Sequence, residues 1–150
     1  MIIARRLSWW QRRCLFKANL LMFVPNLLVT DDDAAFRHVL CEGLIRRGFH
    51  VTEARDGQEA IDLIGQTKVH LALVDMHMPR LGGLDVIRQL HDRPDRPACV
   101  LMSARMDDAT RRQAIEMDAF EVLDKPIPLR RLNETVRKAL AETYGWSESS

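Results

Sequence analysis

From Leu27 onward, short apolar runs alternate with longer segments whose apolar residues recur at helical spacing. The first run, Leu27-Leu28-Val29-Thr30, predicts a strand over about 26–30. Asp33 is placed to cap a helix over 34–47, with Phe36, Val39, Leu40 and Leu44 as its apolar stripe and Gly48 as its stop. A second strand is read at Phe49 to Glu53. Asp56 and Glu59 form a capping-box pair for a helix running to about Gly65. The third strand, 70–75, is apolar at nearly every position, as a central strand covered on both faces requires. A helix from about Leu84 to His91 follows, then the loop Arg93-Pro94-Asp95-Arg96-Pro97. A strand at 98–102, a helix at about 107–117 with Asp107 near its start, and a strand at 119–123 come next. Pro128 suits the first turn of a last helix, whose stripe is Leu129, Leu132, Val136 and Leu140 and which ends near Tyr144. The tail from Gly145 is polar and expected to fray. Repeated strand–helix units of this kind predict an α/β fold: a parallel sheet, right-handed crossovers and helices on both faces.

Composition narrows the picture only slightly. The chain has 150 residues, enough for one domain with a modest core. A net charge of +1 gives no sign of a general nucleic-acid-binding surface. That charge is unevenly spread: residues 1–25 carry Arg5, Arg6, Arg12, Arg13 and Lys17 and no acidic residue. Gln11 to Lys17 loosely resembles a twin-arginine export signal, but no small-residue cleavage site precedes the first strand. An interfacial helix with Trp9, Trp10, Leu15 and Phe16 as its apolar side is a second reading of the segment. The favoured expectation is a poorly ordered basic extension over 1–25, ahead of one domain at 26–143 and a tail at 144–150. Met22 is an alternative start. Cys14, Cys41 and Cys99 have no CxxC spacing, which argues against a disulfide framework or zinc site and fits a reducing cytoplasm. Cys41 and Cys99 are expected to be buried as small apolar residues.

The chemistry gathers where the predicted strands end. Asp31-Asp32 closes the first, Asp75 the third and Ser103-Ala104 the fourth, and Lys125-Pro126 follows the fifth. In a parallel sheet those ends share one edge, where open α/β folds place their sites. Each feature alone is commonplace: a strand-end Asp is usually a helix cap and an acidic triplet a solvated turn. Their conjunction, in order, reads as one pocket. Three carboxylates together would raise one another's pKa, and a hard divalent cation relieves that conflict. Asp32 and Asp75 would be direct ligands and Asp31 would bind through water. Asp75 could then act as nucleophile on a phosphoryl donor, giving an acyl phosphate. Lys125 and Ser103 would neutralise and hydrogen-bond the transferred oxygens.

At these residues the chain resembles a known family. Leu27-Leu28-Val29-Thr30-Asp31-Asp32-Asp33, Ala54-Arg55-Asp56-Gly57-Gln58-Glu59-Ala60, Asp75-Met76-His77-Met78-Pro79 with Gly83, Ser103-Ala104 and Lys125-Pro126 together resemble the receiver domain of two-component response regulators. The resemblance spans residues 26–143. It implies a flavodoxin-like (βα)5 fold with strand order 2-1-3-4-5, and Asp75 as phosphoacceptor. It also implies Mg2+ held by Asp31, Asp32, Asp75 and the backbone carbonyl of His77. The implied phosphoryl donor is a sensor histidine kinase or a histidine phosphotransfer protein. Output would pass through the surface of helix four, strand five and helix five, to a downstream protein or a second copy of the chain. An enzyme acting on other molecules, direct DNA binding and membrane attachment are not expected, and no output domain is read in the chain.

Departures from the family pattern are few. Val122 stands at the switch position, where an aromatic residue is usual, so a ring flip coupled to Ser103 is not available. Asp118 stands where glycine is common. His77 and Arg105 flank the pocket, and Ala104 leaves access to Asp75 open. The alternative reading is a receiver-like module that binds proteins without phosphorylation, and Val122 is its only support. A phosphatase or mutase with an aspartyl-phosphate intermediate would place a second Asp where His77 stands.

Overall fold

Residues 23–105 and 107–148 are described by a computed structural model of the chain. The basic segment, with Cys14, the twin-arginine-like stretch and the Trp9/Trp10 side, lies outside the described residues up to residue 22. The elements are β1 (Asn26–Thr30), α1 (Ala34–Arg46), β2 (His50–Ala54), α2 (Gly57–Gln66), β3 (Leu71–Asp75), α3 (Gly83–Leu90), β4 (Ala98–Ser103), α4 (Asp108–Glu116), β5 (Glu121–Asp124) and α5 (Leu129–Tyr144). The five strands form one parallel sheet in the order β2-β1-β3-β4-β5. This is the expected flavodoxin-like arrangement.

Period-two alternation along each strand divides the core in two. Leu27, Val29, Leu71, Leu73, Val100, Met102 and Leu123 face α1 and α5. Leu28, Ala72, Val74, Cys99, Leu101 and Val122 face α2, α3 and α4. Strand β3 is buried along its whole length, which explains its unbroken apolar run. Phe120 packs toward α1 and α5 and Val122 toward the opposite layer, so Phe120 does not substitute for the missing aromatic.

Several helix starts follow their sequence signals. Asp33, Asp56 and Asp107 accept hydrogen bonds from the backbone N–H groups of Phe36, Glu59 and Thr110. The reciprocal half of the Asp56–Glu59 box is replaced by an Arg55–Glu59 pair. Pro128 is the N-cap of α5 rather than its first-turn residue. Gly48 has φ +93°, a conformation that suits glycine, in the turn between α1 and β2.

Three expectations are corrected. The buried face of α1 is Arg37, Leu40, Cys41 and Leu44, while Val39 is 56% exposed. Leu129 is also largely exposed, its side chain lying over Gly43 of α1 rather than against the sheet. Trp146, assigned to the fraying tail, packs its ring on Phe49 with centroids 5.5 Å apart and donates from Nε1 to Phe23 O. Apolar area beside the first residues of the sheet thus holds the chain beyond Gly145.

Candidate functional site

The parallel sheet brings all four strand-end features to one edge. Asp31, Asp32 and Asp75 offer carboxylate oxygens within 4.8 Å of one another. Asp31 and Asp75 are buried and Asp32 is exposed at the rim. Lys125 reaches across from beyond β5. Its Nζ donates to Asp31 Oδ2 at 2.7 Å and lies 3.3 Å from Asp75 Oδ1. The Phe36 ring lies 4.3 Å from the ammonium, adding a cation–π contact.

Asp75 lies at the end of β3, paired in register with Met102. The loop after it is anchored by Met76 N–H donating to Met102 O at 2.7 Å and Gly83 N–H donating to Met76 O at 3.1 Å. A Cβ on Gly83 would stand 2.8 Å from Asp75 O and 2.9 Å from Leu101 Cδ2. Only glycine lets the start of α3 approach Asp75 this closely. Ser103 is fully buried at the end of β4, and its Oγ accepts from Arg105 N–H at 3.1 Å. The serine O–H proton has no acceptor in that bond. Lys125 N–H donates to Ser103 O at 2.8 Å, which ties the two residues together. Ala104 is exposed beside them.

Electrostatics make the pocket responsive to charge. Burial, and then the neighbouring Asp31 charge, push the Asp75 carboxyl above its ordinary value, against the opposing pull of Lys125. Burial alone would lower Lys125, but its bond to Asp31 and the charge of Asp75 outweigh this and hold it above the usual lysine value. Three carboxylates against one ammonium leave a net negative pocket. An all-oxygen donor set with that charge fits a hard divalent cation, and no cysteine or histidine side chain is in the set.

The flanking residues fall as follows. His77 is exposed, its N–H 3.5 Å from Asp75 Oδ1 and its Nε2 3.4 Å from Arg105 O. Val122 is buried in the α2–α3–α4 layer. Its carbonyl accepts from Arg111 Nη1 on α4, and Arg111 Nη2 also bonds the Asp124 carboxylate. Two residues at the site escaped the sequence reading. Phe36 was assigned only to the core. Arg37 is buried, with Nη1 donating to Asp31 O at 2.6 Å and Nε donating to Glu53 Oε1 at 3.0 Å. Its spacing with Leu40, Cys41 and Leu44 was the available signal.

Comparison with known proteins gives one consistent result. The response regulator receiver domain profile matches residues 27–137. Response regulator RR06 of Streptococcus pneumoniae is 34% identical over 119 residues, covering 79% of this chain and 54% of that protein. Response regulator MprA of Mycolicibacterium vanbaalenii is 37% identical over 118 residues, covering 79% and 51%. The chain thus spans about half the length of the curated relatives it matches. A crystal structure of a response regulator protein from Burkholderia pseudomallei, with a phosphorylated aspartic acid, calcium ion and citrate, is 31% identical with a TM-score of 0.70. The match covers 81% of this chain and 71% of that one.

Proposed function

The chain belongs to the response regulator receiver domain family, and on that premise we propose that Asp75 is its phosphoacceptor in a two-component relay. The observation that carries the reading is the placement of Lys125 between Asp31 and Asp75, with Asp32 at the open rim. That grouping supports a nucleophile, a cation site and a counter-charge in one pocket. The phosphorylated aspartic acid and calcium ion of the Burkholderia pseudomallei protein support the same chemistry.

Asp31, Asp32 and Asp75 would hold Mg2+, with the backbone carbonyl of His77 as a further ligand. When bound, the cation offsets negative charge on the transferring phosphoryl group. The rest falls to the chain's own residues. A carboxylate oxygen of Asp75 attacks phosphorus of a phosphohistidine on a kinase or phosphotransfer protein. The O–P bond forms as the N–P bond breaks, and the histidine nitrogen keeps the electron pair. The attacking group is the Asp75 carboxylate itself, so no general base is needed. Lys125 neutralises one phosphoryl oxygen, and the buried Ser103 hydroxyl donates to another. The Ala104 backbone lines the open side of the pocket. The functional unit is residues 26–143, between the basic extension and the tail.

Phosphorylation adds charge and acceptor oxygens beneath α4 and β5, biasing the surface of α4, β5 and α5 toward a downstream partner. Because Val122 carries no ring, the bias acts through the backbone that Arg111 clamps. Reduction of the phosphorylated protein with borohydride tests the assignment, since an acyl phosphate is converted to an alcohol. Peptide mapping is expected to find homoserine at position 75. Homoserine at another aspartate, or none, contradicts the reading.

A further inference from the structure

Among the described residues, phosphoryl transfer as proposed leaves the buried charge of Arg37 without a task. Arg37 is only 7% exposed, on the face of α1 that otherwise presents Leu40, Cys41 and Leu44. Burying a guanidinium costs stability relative to an apolar side chain of similar volume. Its bonds show what it touches instead. Nη1 donates at 2.6 Å to the backbone carbonyl of Asp31, and Nε donates at 3.0 Å to Glu53 on β2. Glu53 pairs in register with Val29, two residues before Asp31. The guanidinium therefore braces the acidic loop against the neighbouring strand. Asp31 is held on its other sides by Lys125 Nζ at Oδ2 and by Asp33 N–H at Oδ1.

We propose that Arg37 is a positioning residue for the divalent-cation pocket: it fixes the Asp31 peptide, and through it the spacing of Asp31, Asp32 and Asp75. The inference rests on the phosphoacceptor reading of that pocket. It differs in sign from a through-space charge effect. A positive charge near the site repels a cation, so removing Arg37 would tighten Mg2+ binding if charge alone mattered. Loss of bracing does the opposite, because the three carboxylates then relax apart and must be reassembled on binding.

The test is Mg2+ titration by calorimetry of the full chain and of Arg37→Met, with folding checked by circular dichroism. Binding is expected to weaken about tenfold in the variant. With acetyl phosphate as donor, the Mg2+ concentration for half-maximal phosphorylation rate rises by the same factor, while the rate at saturating Mg2+ stays close to wild type. A purely structural role would lower the competent fraction without moving that midpoint. Should Arg37→Met not fold, Arg37→Lys decides. It keeps the charge, but its ammonium does not reproduce the planar fork joining Asp31 and Glu53, so weaker binding is still expected. Equal or tighter Mg2+ affinity in the folded variant overturns the inference alone. A wild-type chain that binds no Mg2+ overturns the phosphoacceptor reading together with it.

Discussion

Asp75 sits in surroundings that oppose its charge, being buried and facing Asp31 with one shared ammonium between them. Asp75→Asn removes a repelled carboxylate while keeping its shape. In chelator the variant is expected to be more stable than wild type by about 1 kcal/mol, measured by urea unfolding. A second buried group gives a pH signature. His70 Nδ1 accepts from Asn26 N–H at 2.9 Å, and burial, with Lys68 nearby, lowers its pKa below the ordinary histidine value of about 6.5. The unfolded chain therefore binds a proton first as pH falls. The stabilisation is complete above about 6.5 and is lost as pH drops toward the lower folded value. Urea unfolding at pH 7.5 and 5.5 should show a loss in wild type that His70→Gln lacks in part; an equal loss in both contradicts the assignment. At this scale the gathering of Asp75, Lys125 and Ser103 at one sheet edge was legible, because each ends an apolar run. Arg37 was not, because a charged residue on a helix reads as solvent-facing until its partners are placed.

The element that matters most is the turn from β3 into α3, packed against its own strand at Gly83. The Cβ of Gly83→Ala would press on both the Asp75 carbonyl and Leu101, so both must give or the start of α3 must move away. It is expected to cost about 1–3 kcal/mol in unfolding experiments and to slow phosphorylation from acetyl phosphate. Unchanged stability and rate would mean that the loop yields freely. Central strands were readable because burial on both faces makes them continuous apolar runs. Edges were less so. The run Ala119-Phe120 placed the fifth strand at 119–123, whereas β5 is Glu121–Asp124. Ala119 is buried within the turn, after Asp118 at φ +67°. In α1, taking Val39 for Arg37 shifted the apolar stripe. The helix period marks a face only approximately when one of its residues is charged.

Across the whole molecule, the fold and pocket were legible together because parallel strand order converts sequence spacing into one shared edge. The Trp146 docking was not, since a lone tryptophan in a polar tail gives no partner. Cation binding at Asp31, Asp32 and Asp75 would link the pocket to global stability. Mg2+ at ten times its dissociation constant should raise unfolding free energy by about 1.4 kcal/mol. Asp32→Asn, which changes an exposed rim residue, should lose most of that gain at the same Mg2+ concentration. An undiminished gain would place the cation elsewhere. The most direct test of the central claim is intact-mass spectrometry after incubation with acetyl phosphate and Mg2+, beside Asp75→Asn and a chelator control. A gain of one phosphoryl group that requires both Asp75 and Mg2+ is the predicted result. No gain in folded protein, or an equal gain in Asp75→Asn, would contradict it.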